Sequence, residues 1–301
     1  MGDTFTRSQV FLMKRVLVLG GQGMLGHVVV KTFSGVQEIK IEYTVRGDDD
    51  NPFNFNVENG INKLHEIIKS NGNFDYLINC IGILSSNIEK RNSDSVLKAI
   101  LVNGLFPHEL IKLGNELGIR IIHISTDGVF SKSAGLCLED SLQACEDIYG
   151  KTKSIGEGIS QQLLNIRCSI IGPSPFKRNG LIEWFLKLPK GAEINGYTDH
   201  VWNGATTLQL ANLCYFIITK DYFNLIRNEA PVHHFCPNHQ ISKFELLQLF
   251  KTQLRPDIKV IPVNSPDGPI NRILETKYKQ IKKLFGNKEH FRDILKILKS
   301  S

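Results

Sequence analysis

Buried-type hydrophobic runs alternate with amphipathic stretches through the first half of the chain. Short continuous apolar runs are typical of strands covered on both faces, and apolar residues at helical spacing separate them. The predicted strands are 15–20, 40–45, 76–82, 120–125 and 164–172. The predicted helices are 24–33, 61–69, 93–117 with a bend at Pro107, and 149–164. Strands and helices that alternate in this way indicate an α/β fold with a doubly wound parallel sheet of the Rossmann type.

The pattern becomes shorter and more scattered after residue 172. Helical patterns occur at 180–188, 206–218 and 241–250, and short strand patterns at 232–235 and 258–263. We therefore predict a nucleotide-binding domain over 14–172 and a smaller mixed α/β substrate-binding lobe over 173–301, between which chain segments can exchange.

The composition is ordinary for a globular protein, with 42% hydrophobic and 22% charged residues in a chain of 301. The formal charge is +6, and much of the excess lies in roughly the last 25 residues, where the pattern favours a solvated amphipathic helix. No apolar run reaches the roughly 18 residues that a membrane span needs. The six cysteines form no CxxC pair, which favours reduced thiols and no metal site. We expect a cytoplasmic protein whose partners include neither nucleic acid nor membrane.

A glycine-rich turn follows the first predicted strand. Gly20, Gly23 and Gly26 stand between that strand and the first helix, where glycines permit a tight turn and a close approach of backbone to a pyrophosphate. The sequence therefore predicts a dinucleotide site. The second strand ends in Arg46 instead of the acid that holds a ribose hydroxyl, which favours NADP over NAD, although Asp48 to Asp50 follow closely.

Tyr149 and Lys153 form a candidate acid–base pair. They are four residues apart at the start of a predicted helix and therefore lie on one face of it. A free tyrosine has a pKa of about 10, and a nearby ammonium favours its phenolate. The spacing alone is common, and it gains weight because polar Thr126 ends the preceding strand.

These residues together resemble the extended short-chain dehydrogenase/reductase (SDR) family, and within it the sugar-nucleotide reductases of the dTDP-4-dehydrorhamnose reductase type. The resemblance covers residues 14 to about 280. The segments that carry it are GGQGMLG (20–26), NCIG (79–82), VNGLFPHEL (102–110), STDGVF (125–130), YGKTK (149–153) and RCSIIGP (167–173).

The resemblance implies a role for each matching residue. Tyr149 would protonate the substrate oxygen, Lys153 would lower the Tyr149 pKa and hold the nicotinamide ribose, and Thr126 would hydrogen-bond the keto oxygen. Asn103 would support a proton-relay water. The implied cofactor contacts are Gly20, Gly23, Met24, Leu25, Gly26, Arg46, Cys80, Ile81, Gly82, Ser125, Tyr149 and Lys153.

The substrate side departs from the family pattern. Besides Thr126, the candidates for nucleotide-sugar contacts are Asn179, Trp202 and Arg272, and simple packing is the alternative for Trp202. Gly128 stands where the resembled proteins often have tyrosine, which predicts room for a bulkier sugar, such as one with a 2-acetamido group.

The function that the resemblance implies is NADPH-dependent reduction of the 4-keto group of a nucleotide-linked 4-keto-6-deoxyhexose. The substrate would be of the dTDP-4-keto-rhamnose or the UDP-2-acetamido-2,6-dideoxy-hexos-4-ulose type, and the enzyme would be a homodimer in deoxysugar biosynthesis. One alternative is a bifunctional 3-epimerase/4-reductase, but the sequence shows no second acid–base pair that would support it. The other is a non-catalytic dinucleotide-binding regulatory subunit.

Overall fold

The computed structural model describes residues 13–174 and 180–286. Its strands are β1 (Lys14–Leu19), β2 (Ile39–Tyr43), β3 (Tyr76–Asn79), β4 (Arg120–Thr126), β5 (Gly135–Cys137), β6 (Leu163–Cys168), β7 (Ile170–Ile171), β8 (Glu193–Tyr197), β9 (His200–Trp202), β10 (Ala205–Thr206), β11 (Val232–His234), β12 (Ile241–Ser242), β13 (Lys259–Val263) and β14 (Ile270–Leu274). Its α-helices are α1 (Gly26–Phe33), α2 (Ile61–Asn71), α3 (Ser93–Ala99), α4 (Phe106–Leu117), α5 (Ile148–Ile155), α6 (Leu181–Leu186), α7 (Thr207–Thr219), α8 (Phe223–Glu229), α9 (Lys243–Leu254) and α10 (Lys279–Phe285).

Six parallel strands form the main sheet, in the order β2-β1-β3-β4-β6-β11. The chain leaves β1 toward β2 on one side and returns to β3 on the other, so the strand order reverses between β1 and β3. Ligands of doubly wound sheets bind at such a switch point, beyond the carboxyl ends of the strands. The predicted α/β class is confirmed, and the glycine turn after β1 lies at the switch point.

Helices cover both faces of the sheet because alternate residues of its strands point to opposite sides. On β1, Val16 and Val18 pack into the core that contains α1 and α7. Leu17 and Leu19 pack into the core that contains α2 and α4. The sequence of β1 is continuously apolar because both faces of this strand are buried.

A second group of elements lies beside the sheet. Strands β8 and β13 pair in parallel, and α6 and α9 contribute Phe185 and Phe250 to a separate core. Chain segments pass both ways between the groups: β5, from the first half, pairs with β14, whereas β11, from the second half, completes the main sheet.

Three predicted boundaries are wrong. The helix predicted over 149–164 ends at Ile155, and its C-cap Gly156 packs so closely that a Cβ would lie 2.1 Å from the Asn103 carbonyl oxygen. The strand predicted over 164–172 breaks after Cys168, and Ile170–Ile171 pairs with β10 instead. The bend predicted at Pro107 is replaced by a π-helical segment at Ile100–Leu105. Pro107 itself lies in the first turn of α4, a position that tolerates proline.

No helix within the described ranges combines the length and the apolar character that crossing a bilayer would take.

A buried ion pair fixes α5 to the sheet. Arg167 on β6 donates from Nε and Nη2 to both carboxylate oxygens of Glu157, each at 2.7 Å, just beyond the end of α5. Both side chains are at most 3% exposed. The third guanidinium nitrogen, Nη1, donates to the Glu139 carbonyl, and the Ser125 hydroxyl donates to Glu157 at 2.6 Å. The pair therefore joins the ends of β4, α5 and β6.

We expect Glu157→Gln to lower the free energy of unfolding by about 3 kcal/mol, because it leaves the Arg167 charge buried without its counter-ion. Urea denaturation measures the loss. The double variant Glu157→Leu/Arg167→Met should recover much of it, since no unpaired charge remains.

The matched control is Glu193→Gln, which breaks the exposed pair of Lys259 and Glu193 at the same kind of distance, 2.8 Å. Solvent-exposed pairs contribute little, so this variant should unfold almost as the wild type does. If Glu157→Gln and Glu193→Gln lowered the free energy of unfolding equally, the buried pair would not have the stabilising role assigned to it.

Candidate active site

The glycine turn forms a cradle without side chains at the end of β1. Gly20 has φ of +82°, which favours glycine, and a Cβ on Gly26 would lie 2.1 Å from the Gly20 carbonyl oxygen. Among the described residues, no side chain caps the amino end of α1. The turn therefore offers backbone N–H groups to an anion, as a dinucleotide pyrophosphate requires.

The chain after β3 lies against this turn. A Cβ on Gly20 would meet the Ile81 side chain at 3.0 Å, and the Cys80 N–H donates to the Leu19 carbonyl at 3.0 Å. The predicted segment 80–82 is thus placed beside the glycine turn, on the route that a dinucleotide would take across the switch point.

The end of β2 borders the other side of the turn. The Gly20 N–H donates to the Thr44 hydroxyl at 2.8 Å, and the Tyr43 ring packs directly on Gly21. Arg46 is exposed just beyond, as Asp48 to Asp50 are. A guanidinium in this position is available to a phosphate on the adenosine ribose.

Close backbone packing brings Thr126 and Tyr149 together. A Cβ on Gly150 would lie 2.2 Å from the Gly128 carbonyl, so α5 rests directly on the turn that follows β4. A Cβ on Gly128 would lie 3.2 Å from Tyr149 Cε1 and 3.3 Å from Thr126 Oγ1, which shows that both side chains border the same space. Thr126 and Tyr149, predicted as partners, are therefore neighbours.

The surroundings keep Tyr149 protonated. Burial raises the pKa of Tyr149 to about 12, and the nearby Asp127 acts in the same direction, whereas a hydrogen bond with Thr126 partly opposes them. Burial also lowers the pKa of Lys153 to about 8, although the Glu157 carboxylate acts against this change. At neutral pH the phenol is a proton donor.

Lys153 is 4% exposed and lies against β4. Its amine donates to the Ile124 carbonyl at 2.7 Å and faces His123 Nε2 at 3.3 Å. Neither of these contacts is to Tyr149, whose pKa is shifted mainly by burial and by Thr126 and Asp127.

Asn103 is held in the π-helical segment. Its amide accepts from the Ile83 N–H at 2.9 Å and donates to the Ile83 carbonyl at 3.0 Å, and it also donates to Thr152 Oγ1 at 3.3 Å. These bonds tie the chain after β3 to α5. The predicted contact of Asn103 with a relay water stays a prediction, as does the cofactor contact of Ser125, whose hydroxyl is bound to Glu157.

A cavity of about 290 Å³ opens beside these residues. Its wall includes Met24 from the glycine turn, Asp127 next to Thr126, and Arg272 and Trp202 from the second group of elements. It also includes Lys243, at the start of α9. The cavity thus joins the dinucleotide cradle to the second group of elements, as a substrate site must.

Two of the predicted substrate contacts line this cavity. The Arg272 Nε has no hydrogen-bond partner among the described residues, and Trp202 packs on Gly204 while its ring lines the cavity. Asn179 lies outside the described residues. Thr126 and Tyr149 are not among the residues of the cavity wall, whereas Asp127, to which the Thr126 hydroxyl donates at 3.1 Å, is.

Sequence reasoning missed Asp127 and Lys243 as parts of the cavity wall. Asp127 opens a short 3₁₀ turn, and burial raises its pKa while the Arg272 charge lowers it. Burial lowers the pKa of Lys243. The signal for Asp127 was its position at a strand end beside Thr126, whereas no local pattern marks Lys243.

One curated relative and the solved structures are consistent with this geometry. The chain is 28% identical over 202 residues to a dTDP-4-keto-6-deoxy-D-glucose reductase of Streptomyces niveus, a match that covers 65% of this chain and 66% of the relative. The chain thus spans about two thirds of the length of that relative.

Among solved structures, a dTDP-4-dehydrorhamnose reductase from Clostridium acetobutylicum has a TM-score of 0.73 at 21% identity, over 95% of this chain and 99% of that one. A dTDP-4-dehydrorhamnose reductase from Bacillus anthracis, solved in complex with NADP, has a TM-score of 0.75 at 17% identity, over 96% and 99%. At these identities the likeness shows the fold, which is that of the extended SDR reductases.

A family model matches nearly the whole chain. The model describes the RmlD substrate binding domain, and the match runs from residue 13 to residue 289. It confirms the resemblance inferred from the sequence motifs and the predicted class of enzyme. The chain belongs to the RmlD substrate binding domain family.

Proposed function

We propose that the protein is an NADPH-dependent reductase that converts the 4-keto group of a nucleotide-linked 4-keto-6-deoxyhexose to a hydroxyl. The observation that carries the proposal is the meeting of three features at one edge of the sheet. A side-chain-free cradle, a protonated tyrosine beside a threonine hydroxyl, and a cavity with an unpartnered arginine nitrogen lie next to one another.

The residues present fit a nicotinamide dinucleotide. Glycine at 20 and 26 lets the turn after β1 pack against Ile81 and against its own backbone, and the amino end of α1 has no side-chain cap, so its N–H groups can approach a pyrophosphate. Arg46 would meet the 2′-phosphate of NADP, and 80–82 would lie along the dinucleotide. The bound cofactor supplies the hydride, and the reductase of Bacillus anthracis with a similar fold was solved with NADP.

The chain supplies the proton and holds the keto oxygen. Tyr149 donates its phenolic proton to that oxygen as negative charge develops on it. The Thr126 hydroxyl now donates to Asp127 Oδ1 at 3.1 Å, and a small rotation of its proton would direct it to the substrate oxygen. Donors fixed in advance in this way stabilise developing charge without reorganisation. The phenolate that remains takes up a proton from solvent before the next turnover, and the Lys153 ammonium, one helical turn away, stabilises it until then.

The cavity fits a sugar joined to a nucleoside diphosphate. The unpartnered Nε of Arg272 and the amine of Lys243 suit phosphate oxygens, because both are charged donors. Trp202, Ile241 and Leu246 offer apolar surface to a base or sugar ring. The space beside Gly128 is narrow, since a Cβ there would lie 3.2 Å from Tyr149 Cε1, so the choice between a 2-acetamido group and a hydroxyl rests on the substrate panel.

The direct test is turnover with a panel of 4-keto-6-deoxyhexoses linked to dTDP and to UDP, with and without a 2-acetamido group. Purified protein with NADPH should oxidise the cofactor with at least one of them, followed by absorbance at the nicotinamide band. Oxidation with none of them would exclude the proposed reaction.

Replacing Tyr149 by phenylalanine should lower kcat by roughly 10²–10⁴-fold, because the proton donor is lost, with little change in KM. Steady-state kinetics on the best substrate of the panel measures this. Tyr215→Phe, on α7 and remote from the cavity, is the matched control and should keep the wild-type kcat. A Tyr149→Phe enzyme as active as the Tyr215→Phe enzyme would show that Tyr149 is not the donor.

Replacing Arg46 by alanine should raise KM for NADPH by about tenfold and leave KM for NADH unchanged, since one charge-assisted phosphate contact is removed. Lys259→Ala makes the same change in net charge on an exposed strand of the second group of elements and should alter neither constant. Equal effects on NADPH and NADH would contradict the assignment of Arg46 to the 2′-phosphate.

A further inference from the structure

An acid, Glu58, lies beside the arginine just beyond β2. Val45 pairs in parallel with Asn54, and the Phe55 N–H donates to the Val45 carbonyl at 2.9 Å. The two chains of a parallel pair run the same way, so the residues after Val45 stand beside those after Asn54. Arg46 therefore comes near Glu58, and the Arg46 charge is one of the causes that lower the pKa of Glu58.

The turn that carries Glu58 is fixed locally. Asn56 opens a short 3₁₀ turn, Val57–Asn59, and its side-chain oxygen accepts from the Glu58 N–H at 3.4 Å. The Asn56 amide nitrogen also donates to Glu58 Oε2 at 3.1 Å. Two bonds to one residue thus orient this carboxylate from within its own turn.

Lys98 holds the same carboxylate from α3. Its amine donates to Glu58 Oε2 at 2.6 Å, across 40 positions of the sequence. The hydrogen bond with Lys98 is the largest of the causes that lower the pKa of Glu58, ahead of the bond with Asn56 and of the Arg46 charge. At neutral pH the Glu58 carboxylate is therefore ionised, and its partner is Lys98 and not Arg46.

The Arg46 side chain is exposed, and no ion pair among the described residues includes it. The loop that follows it is tied down by Asn54, whose oxygen accepts from the Gly47 N–H at 3.1 Å and whose nitrogen donates to Asp49 at 2.9 Å. The guanidinium thus stands beside a fixed loop on one side and beside the Glu58 carboxylate on the other.

One carboxylate consequently stands between two cations. If it bound Arg46, it would occupy the fork of N–H donors that a phosphate needs, because carboxylates and phosphates use the same bidentate geometry. Its negative charge would also repel the phosphate. The bond to Lys98 prevents the first effect and weakens the second.

We propose that Lys98 and Glu58 set the preference for NADP: Lys98 is a positioning residue that holds the Glu58 carboxylate away from Arg46 and so leaves the guanidinium to the 2′-phosphate of the cofactor. The proposal rests on the assignment of Arg46 in the proposed function. It does not depend on which sugar nucleotide the enzyme reduces.

The test is the binding of NADPH and of NADH to the purified protein without any sugar nucleotide, followed by the fluorescence of the reduced nicotinamide. Lys98→Met should raise the Kd for NADPH by about threefold, because the released carboxylate turns to Arg46 at an exposed and partly screened site. The Kd for NADH should stay unchanged, since NADH has no 2′-phosphate.

Two control variants accompany Lys98→Met. Lys98→Arg keeps a cation for Glu58 and should bind NADPH as the wild type does. Lys277→Met breaks an exposed ion pair of the same length, 2.6 Å, with Asp140. That pair lies beyond β11, at the edge of the main sheet opposite β2, and its loss should change neither Kd.

Glu58→Gln separates an indirect role of Lys98 from a direct contact with the phosphate. This variant removes the charge that competes for Arg46, so it should bind NADPH at least as tightly as the wild type does. In this background Lys98→Met should have almost no further effect, because Lys98 has no carboxylate left to hold. A Lys98 amine that bound the phosphate itself would instead make Lys98→Met equally costly in both backgrounds.

The outcomes are distinguishable. Equal effects of Lys98→Met with Glu58 and with Gln at position 58, or equal effects on NADPH and NADH, would overturn the proposal while the reductase reaction stands. Absence of turnover with every sugar nucleotide would remove the proposed reaction and leave the binding results to decide the roles of Lys98 and Glu58. A wild-type protein that binds NADPH no more tightly than NADH would overturn this proposal together with the assignment of Arg46.

Discussion

The desolvated amine of Lys153 is the constraint on which the active site depends. It lies at 4% exposure between β4 and α5, and burial lowers its pKa to about 8. An amine in this state can change charge near neutral pH, whereas an exposed lysine cannot. The same dry environment raises the pKa of Tyr149 to about 12, so the phenol keeps its proton at neutral pH.

The fold maintains this burial with close backbone contacts and one ion pair. Gly150 allows α5 to rest on the Gly128 carbonyl, and Gly156 allows the end of the helix to pack on the π-helical segment. Arg167 and Glu157 then fix the chain after α5 to β6. Tyr149 and Lys153, the candidate acid–base pair, are thus positioned by contacts within the protein, at the edge where a parallel sheet places its polar strand ends.

The sequence predicted the elements that local patterns encode. Buried runs gave the strands of the doubly wound sheet, and the glycines at 20, 23 and 26 indicated the cradle that the structure shows. The predicted end of α5 was wrong, because a glycine such as Gly156 can lie inside a helix as well as cap one, and its close packing on Asn103 is visible only in the structure.

Features that depend on pairing across the sheet could not be predicted. Asn79 and His123 lie 44 positions apart and become neighbours through the register of β3 and β4. The cavity wall likewise combines Met24, Asp127 and Arg272, which no motif connects. The sequence left two interpretations of Trp202, packing and ligand binding. In the structure the Trp202 ring packs on Gly204, and the residue lines the cavity.

The measurement that tests the central claim most directly is the fate of deuterium from NADPH labelled at both C4 positions of the nicotinamide. With the sugar nucleotide that supports turnover, mass spectrometry and NMR of the product should find one deuterium on carbon 4 of the sugar, beside the new hydroxyl. A reduced sugar without deuterium at carbon 4, or recovery of the unreduced ketone while NADPH is oxidised, would contradict the account.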